Sequence, residues 1–305
     1  MGCNSSEFNM HIPVLQKEVL QYLDPKPNEN FIDATAGQGG HTFAILEKNG
    51  PKGKVLGIEW DEEIIENLED KIKNFKEIKN RLILVCDNYV NLEKIVERER
   101  FKKVSGILFD LGISSWHLEE SKRGFSFLKN EILDMRYNLQ NPLTAEKILN
   151  YWSKPEIEKI LKDFSEEQFA EKIASQIINE RKIRPIKTTF QLVKIIKQAV
   201  PAWYQYKKIH SATKTFQALR IAVNDELENI KKVLPQTLRI LGSGGKLVII
   251  SFHSLEDRIV KIFLRENFKN GNLKILTKKP IRPSFEEIKF NPRSRSAKLR
   301  AAQLI

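Results

Sequence analysis

Residues 30–49, NFIDATAGQGGHTFAILEKN, decide the fold of this chain. A short apolar run ends at Asp33, a turn of small residues with three glycines follows, and a helix-like segment begins at His41. A second apolar run, KVLGIEWD at residues 54–61, comes next and also ends in acids. Apolar runs of this length on either side of a helical segment predict a strand–turn–helix–strand unit.

The same alternation continues through RLILVCDNY (81–89) and VSGILFD (104–110), and it returns in KLVIISF (246–252). Near-continuous apolar strands are typical of a parallel sheet that helices cover on both faces. The predicted fold class is therefore α/β, with a doubly wound, Rossmann-like sheet. We expect GSGG (242–245) to be a turn, and the segment 215–241 to be one long helix or a pair of helices.

The middle of the chain has a different sequence pattern. No glycine occurs between Gly124 and Gly242, and the segments in between have helical spacing. We therefore predict that residues 136–211 form an all-helical domain inserted into a discontinuous α/β domain of residues 10–135 and 212–305. Residues 1–9 are expected to be a disordered leader.

Bulk composition excludes several classes. The 305 residues are 41% hydrophobic and 30% charged, without an apolar run long enough for a membrane helix or a secretory signal. Two cysteines cannot make a disulfide framework, which favours a reducing, cytoplasmic setting. The net charge of +12 indicates either a polyanionic partner, most simply nucleic acid, or a general enrichment in lysine.

Acidic side chains stand at the predicted ends of four successive strands. Ligands of open α/β sheets bind beyond these carboxyl ends, and a glycine-rich turn lets the backbone approach them closely. An acid such as Asp33 would repel the phosphates of a dinucleotide. In S-adenosylmethionine, by contrast, the ammonium and the ribose hydroxyls can donate hydrogen bonds to acids. The pattern thus favours a methyltransferase over a dehydrogenase. The residues on which this prediction depends are Asp33, Gly37, Gly39, Gly40, Glu59, Asp87 and Asp110.

Several motifs along the chain resemble the motifs of one family. They are HIPVLQKEVL, GQGGHT, DLGISS, RGFSF, LDMR, TFQALRIAVNDEL, SFHSLEDRIVK and NPRSRSAKLR, spread from about His11 to Arg300. Together they resemble the MraW/RsmH family of S-adenosylmethionine-dependent methyltransferases, which act on cytosine N4 in the decoding centre of 16S ribosomal RNA. The resemblance implies a methyltransferase domain with a helical substrate-recognition insertion, and the small ribosomal subunit as partner.

The resemblance also implies roles for single residues. It places the cofactor against Gly39, Gly40 and His41, with Glu59 on the ribose. It places Tyr89 against the adenine, Asp110 near the methionine end and the last cofactor contact at His117.

Methylation of an exocyclic amine needs position and hydrogen-bond acceptors more than it needs an activated nucleophile. We expect in-line methyl transfer to an unstacked cytosine, without a metal ion. The acceptor candidates are Asp110, Ser114 and His253, although a histidine at a strand end is more often structural.

Basic and aromatic side chains supply the candidate RNA contacts. Phe125 and Phe127 would give an aromatic face for the base or pack in a core. Arg136 would touch RNA or form an ion pair with Asp134. The basic end of the chain would be a phosphate-contacting arm or a disordered tail. The full set is Arg123, Phe125, Phe127, Arg136, Arg258, Arg293, Arg295 and Arg300.

Two rival functions remain open on the sequence alone. One is a non-catalytic RNA-binding factor that has kept the fold, and the other is a methyltransferase of DNA or a small molecule. The sequence leaves open whether the protein is a monomer or a homodimer.

Overall fold

The computed structural model describes residues 13–305, which divide into two compact units. The sheet unit combines the described residues up to Gly112 with Leu227–Ile305, and the helical unit is Ile113–Glu226. The expected leader at residues 1–9 and the motif residue His11 lie outside the described residues. No helix within residues 13–305 is long and apolar enough to cross a membrane.

The sheet unit is built on seven strands. They are β1 (Asn30–Asp33), β2 (Val55–Glu59), β3 (Leu82–Cys86), β4 (Val104–Asp110), β5 (Leu241–Ser251), β6 (Leu273–Ile275) and β7 (Lys298–Leu304). Their order across the sheet is β3-β2-β1-β4-β5-β7-β6. The first five in this order are parallel, whereas β7 runs antiparallel to both β5 and β6.

The α-helices alternate with these strands at both ends of the chain and follow one another in the middle. In chain order they are α1 (Gln16–Leu23), α2 (Gly40–Lys48), α3 (Glu62–Ile72), α4 (Lys76–Lys79), α5 (Leu92–Arg98), α6 (Ser115–Glu119), α7 (Ala145–Tyr151), α8 (Lys154–Ser165), α9 (Ala170–Ile183), α10 (Thr189–Ala199), α11 (Ala202–Gln205), α12 (Thr213–Asn224), α13 (Glu226–Ile240), α14 (Ser254–Lys269) and α15 (Phe285–Phe290).

Successive side chains of the central strands enter different apolar clusters. Phe31 and Leu108 pack with residues of α1 and α2, while Ile32 and Ile107 pack with residues of α5 and α13. Because neighbouring side chains of a strand point to opposite faces, both faces of the sheet are covered. The predicted doubly wound α/β class is confirmed.

The helical unit has an apolar core of its own, and this core extends beyond residues 136–211 in both directions. Phe125 and Leu133 precede that range and Phe216 and Leu219 follow it, yet all four are buried in the same cluster. Packing rather than helical spacing therefore sets the limits of the unit at Ile113 and Glu226. Spacing could not reveal this because residues 120–143 contribute to the core without forming a helix.

The segment 215–241 is a pair of helices, one of its two expected forms, because Asp225 adopts a left-handed φ of 53° between α12 and α13. Two other local expectations differ from the structure. The predicted turn GSGG is instead the irregular start of β5, with a register shift against β4. The segment NPRSRSAKLR, expected to be an arm or a tail, forms a 3-10 helix and then enters β7.

Candidate functional site

The predicted acids stand together at the carboxyl edge of the sheet. Asp33 is the last residue of β1, Glu59 the last of β2 and Asp110 the last of β4. Since β1 pairs with β2 on one side and with β4 on the other, these three ends are neighbours. The chain order reverses between β1 and β4, which is where open α/β sheets bind ligands.

The glycine-rich turn connects this edge to the start of α2. The Gly37 N–H donates to Glu59 Oε2 at 3.0 Å, so the carboxylate at the end of β2 holds the turn. Gly39 caps α2 with a φ of 89°, and a Cβ there would lie 2.4 Å from the Phe43 ring. Both the conformation and the crowding require glycine at this position.

Two carboxylates, Asp33 and the half-buried Asp110, stand at the ends of β1 and β4. Asp33 is 1% exposed; its Oδ2 accepts a 2.7 Å hydrogen bond from the Thr42 hydroxyl and its Oδ1 accepts one from the Thr35 N–H. The Asp110 N–H donates to the Thr35 hydroxyl at 2.6 Å, so Thr35 links the two strand ends. Within residues 13–305, Asp110 Oδ1 is buried without a hydrogen-bond partner.

The surroundings favour the protonated form of both acids. Burial raises the pKa of Asp33 to about 6, against the opposing hydrogen bond from Thr42. Burial raises the pKa of Asp110 to about 7; the negative charge of Asp33 adds to this rise and the Gly112 amide opposes it. Two like charges in a poorly solvated site are costly, and a bound cation would relieve the cost.

His41, the second residue of α2, borders the same site. Burial lowers the pKa of His41 to about 4, against the opposing effect of the Val14 carbonyl, so the ring is neutral at pH 7. Its Nε2 lies 3.8 Å from Asp110 Oδ2, which is too long for a hydrogen bond. Neither ring nitrogen has a partner within the described part of the chain.

The loop after β3 carries two further predicted residues, Asp87 and Tyr89. Tyr89, half-buried after β3, packs its ring edge-on against Phe109 with 5.8 Å between centroids. Asp87 Oδ1 accepts hydrogen bonds from the Asn88 N–H and the Asn91 side chain. Asp87 therefore orders the loop that carries Tyr89.

His253, an acceptor candidate, lies just beyond β5 and caps α14. Its Nδ1 accepts from the Glu256 N–H at 3.3 Å, while Glu256 Oε2 accepts from the N–H groups of Phe252 and His253. This reciprocal arrangement is a capping box. The structure thus gives His253 a structural contact.

The other acceptor candidate and the last predicted cofactor contact belong to the helical unit. Ser114 caps α6, with its hydroxyl accepting from the Trp116 N–H at 3.3 Å. His117 is buried, and its ring lies 4.9 Å from that of Phe125 and 4.8 Å from that of Tyr137.

Several candidate RNA contacts have partners within their own unit. The Arg123 guanidinium is buried and donates to the carbonyls of Arg136 and Tyr137. Phe125 is buried and stacks on Tyr137.

Arg136 forms the ion pair with Asp134 that was one of its two expected roles, through bonds of 2.8 and 2.7 Å. Phe127 is half-buried and stacks on His210 with centroids 4.6 Å apart.

The basic end of the chain corrects an expectation. Arg300 lies in β7 rather than in an arm or a tail, and its Nε donates to Asp257 Oδ1 at 2.7 Å. Arg258, Arg293 and Arg295 are exposed. The sequence analysis did not predict the strand β7, KLRAAQL, because basic residues precede it.

Thr35 and Thr42 are the site residues that sequence reasoning missed. Each places a hydroxyl against one of the strand-end acids or its backbone. No local pattern predicts these hydroxyl contacts, because Thr35 meets the backbone of Asp110 from a distant strand and Thr42 reaches Asp33 across the glycine-rich turn.

The sheet order, the glycine-rich turn and the acids at three neighbouring strand ends define a Rossmann-like, S-adenosylmethionine-dependent methyltransferase. The chain belongs to the MraW methylase family, whose model matches residues 8–305. The predicted family and cofactor are thereby confirmed.

Three relatives are each called Ribosomal RNA small subunit methyltransferase H. The relative from Thermosipho melanesiensis is 48% identical, with 97% of this chain and 98% of that protein covered. The relative from Persephonella marina is 46% identical, with coverages of 97% and 99%. The relative from Halothermothrix orenii is 45% identical, with coverages of 97% and 98%.

Proposed function

We propose that this chain methylates the N4 amine of one cytidine in the decoding centre of 16S ribosomal RNA, with S-adenosylmethionine as methyl donor. The observation that carries the proposal is the pair Asp33 and Asp110, two carboxylates at neighbouring strand ends that Thr35 links, with Asp110 Oδ1 left without a hydrogen-bond partner within residues 13–305. The names of the relatives support ribosomal RNA as substrate. The resemblance of the eight motifs together to the MraW/RsmH family of cytosine-N4 methyltransferases supports the position that is methylated.

The cofactor site would use the edge of the sheet. Asp110, whose Oδ1 has no hydrogen-bond partner in the described part of the chain, would accept hydrogen bonds from the cationic amino-acid end, as would Asp33. Glu59 would accept from the ribose with the lone pairs left by its backbone contacts. The turn of Gly37, Gly39 and Gly40 with His41 would line the backbone side, Tyr89 would pack on the adenine, and His117 would complete the contacts.

The cofactor supplies a methyl group on a sulfonium, which leaves as a neutral thioether. The chain must hold the cytosine amine in line and accept its proton, because the lone pair of that nitrogen is delocalised into the ring. Asp110 is one candidate acceptor of this proton, because its Oδ1 has no hydrogen-bond partner within residues 13–305. Ser114 and His253 keep a role as hydrogen-bond partners of the amine.

Direct RNA contacts are proposed for the exposed members of the predicted set. Arg258, Arg293 and Arg295 have solvent-accessible guanidinium groups that suit phosphates. Phe127, which is half-buried, would pack on the unstacked base. Arg123, Phe125 and Arg136 would stabilise the helical unit, and Arg300 would stabilise the sheet unit. The small ribosomal subunit would be the partner, and the reaction would take place in the cytoplasm.

The test compares the nucleosides of 16S ribosomal RNA from cells with and without the gene. Loss of N4-methylated cytidine at one position, restored by the wild-type gene, is expected. Unchanged N4-methylcytidine would reject the substrate assignment. Binding of RNA and cofactor by the purified chain without methyl transfer would favour the non-catalytic RNA-binding factor. Transfer to DNA or small molecules alone would favour a methyltransferase of DNA or of a small molecule.

A further inference from the structure

The positive charge of the chain is concentrated in one segment of the helical unit. Residues 181–224 contain ten Lys or Arg and no Asp or Glu. The rest of the chain is nearly neutral in total, with 41 Lys or Arg against 39 Asp or Glu, although residues 278–300 alone hold eight Lys or Arg against two Glu. A general enrichment in lysine would spread the excess evenly, so this distribution indicates a binding surface for a polyanion.

Most of these cations are available to a partner. Arg181 donates to the carbonyls of Leu149 and Trp152, Lys214 donates to the Glu166 carbonyl, and Arg220 pairs with Glu226. The other seven side chains are exposed and form no ion pair within residues 13–305: Lys182, Arg184, Lys187, Lys194, Lys197, Lys207 and Lys208.

Exposed aromatic rings lie among these lysines. Trp203 is 56% exposed and Tyr206 is 88% exposed, although large apolar rings are usually covered in soluble proteins. The Lys207 ammonium lies 4.8 Å from the centre of the Trp203 ring. Gln205 of α11 donates to the Lys197 carbonyl at 2.9 Å, which fixes the end of α10 beside α11.

Buried contacts hold the segment that carries these rings. Tyr204, which stands between Trp203 and Tyr206 in the sequence, is buried, and its hydroxyl donates to Glu167 Oε2 at 2.8 Å. Phe169 packs edge-on against both Trp203 and Tyr204. Because α11 is held in this way, Trp203 lies on a supported helix, and Tyr206 directly follows that helix.

We propose that Lys197, Trp203, Tyr206, Lys207 and Lys208 form a stacking surface for an unpaired strand of the ribosomal RNA substrate. The inference rests on the proposed function and assigns a substrate-binding role to this surface. Aromatic rings between basic side chains suit single-stranded RNA, since bases stack on the rings while ammonium groups contact phosphates. A protein partner would not require the absence of acids over so long a segment.

The first test measures the affinity of the full chain for 16S ribosomal RNA at several salt concentrations. Lys207→Ala with Lys208→Ala should weaken binding and lower the slope of log affinity against log salt by about 1.4, if each lysine neutralises one phosphate of a single strand. Lys76→Ala with Lys79→Ala is the matched control, because these exposed lysines of α4 lie outside the basic segment. Equal slopes for both double variants would overturn the inference.

The second test concerns the rings. Trp203→Ala and Tyr206→Ala should each weaken RNA binding by roughly 5- to 150-fold if each ring stacks on one base. Tyr206→Phe should keep wild-type affinity, since stacking does not need the hydroxyl. Cofactor affinity should be unchanged in all three variants. An RNA affinity of Tyr206→Ala equal to that of wild type would remove Tyr206 from the surface.

Photo-crosslinking of the wild-type chain to the RNA, followed by peptide mapping, avoids any dependence on variant folding. Crosslinks within residues 203–208 are expected. Crosslinks confined to other parts of the chain would overturn the inference while leaving the proposed reaction intact. Absence of cytidine methylation by the wild-type chain would instead reject the proposed function, and RNA affinity would then judge the surface separately.

Discussion

At the scale of single residues, Asp110 is the most informative side chain. It ends a buried strand, its Oδ1 has no hydrogen-bond partner within residues 13–305, and its pKa is raised to about 7. An acid in this state destabilises the fold when it ionises, and it is retained where a cationic ligand needs it. The sequence predicted its position; the structure adds the link through Thr35 to Asp33.

The raised pKa values predict how the cofactor-free chain responds to pH. Between the unfolded value of 3.8 and the folded value of about 7, folded Asp110 holds a proton that the unfolded chain releases. Stability should therefore fall as pH rises through this window, by at most about 1.4 kcal/mol per pH unit for the group.

Asp110→Asn should make this dependence shallower, with the remainder coming from Asp33. Urea unfolding without cofactor at pH 5, 6, 7 and 8 measures the effect. Asp70→Asn, which changes an exposed acid of α3, should leave the dependence as in wild type. A curve for Asp110→Asn that is as steep as wild type would contradict the assignment.

At the scale of elements, β7 shows that the end of the chain is a strand of the sheet. It lies between β5 and β6, and Leu299, Ala301 and Ala302 are fully buried. A segment with this environment is part of the core, although its sequence is basic. Its Arg300 and Lys298 both contact Asp257 of α14, so these charges are compensated inside the unit.

Leu299→Ala should lower the free energy of unfolding by about 2–5 kcal/mol, because it creates a cavity in a packed core. Arg295→Ala, four residues earlier and exposed, should change it by less than about 0.5 kcal/mol. Urea midpoints of the two variants give the comparison. Equal, negligible effects would mean that residues 298–304 behave as a flexible arm.

At the scale of the whole molecule, the chain contains two units with separate cores. The core of the helical unit draws on α7, α8, α9, α10 and α12, and it includes fully buried Leu161, Ile173 and Leu219. A continuous segment with its own core meets the usual description of a domain.

Residues 113–226 expressed alone should therefore fold, with helical circular dichroism and a cooperative thermal transition. Leu161→Ala in this segment should reduce its stability by about 2–5 kcal/mol, since the side chain is fully buried. Gradual melting without a transition would show that the segment needs the rest of the chain.

The sequence by itself determined the α/β class, the strand-end acids and the glycine-rich turn, because strand length, apolar runs and backbone freedom are local properties. It also carried the family resemblance. Tertiary structure decided what depends on contacts between distant segments. It placed β7 in the sheet, set the limits of the helical unit and assigned Arg123, Arg136 and Arg300 to internal partners. The sequence does not show whether an arginine faces a carbonyl, a carboxylate or solvent, because tertiary packing determines that environment.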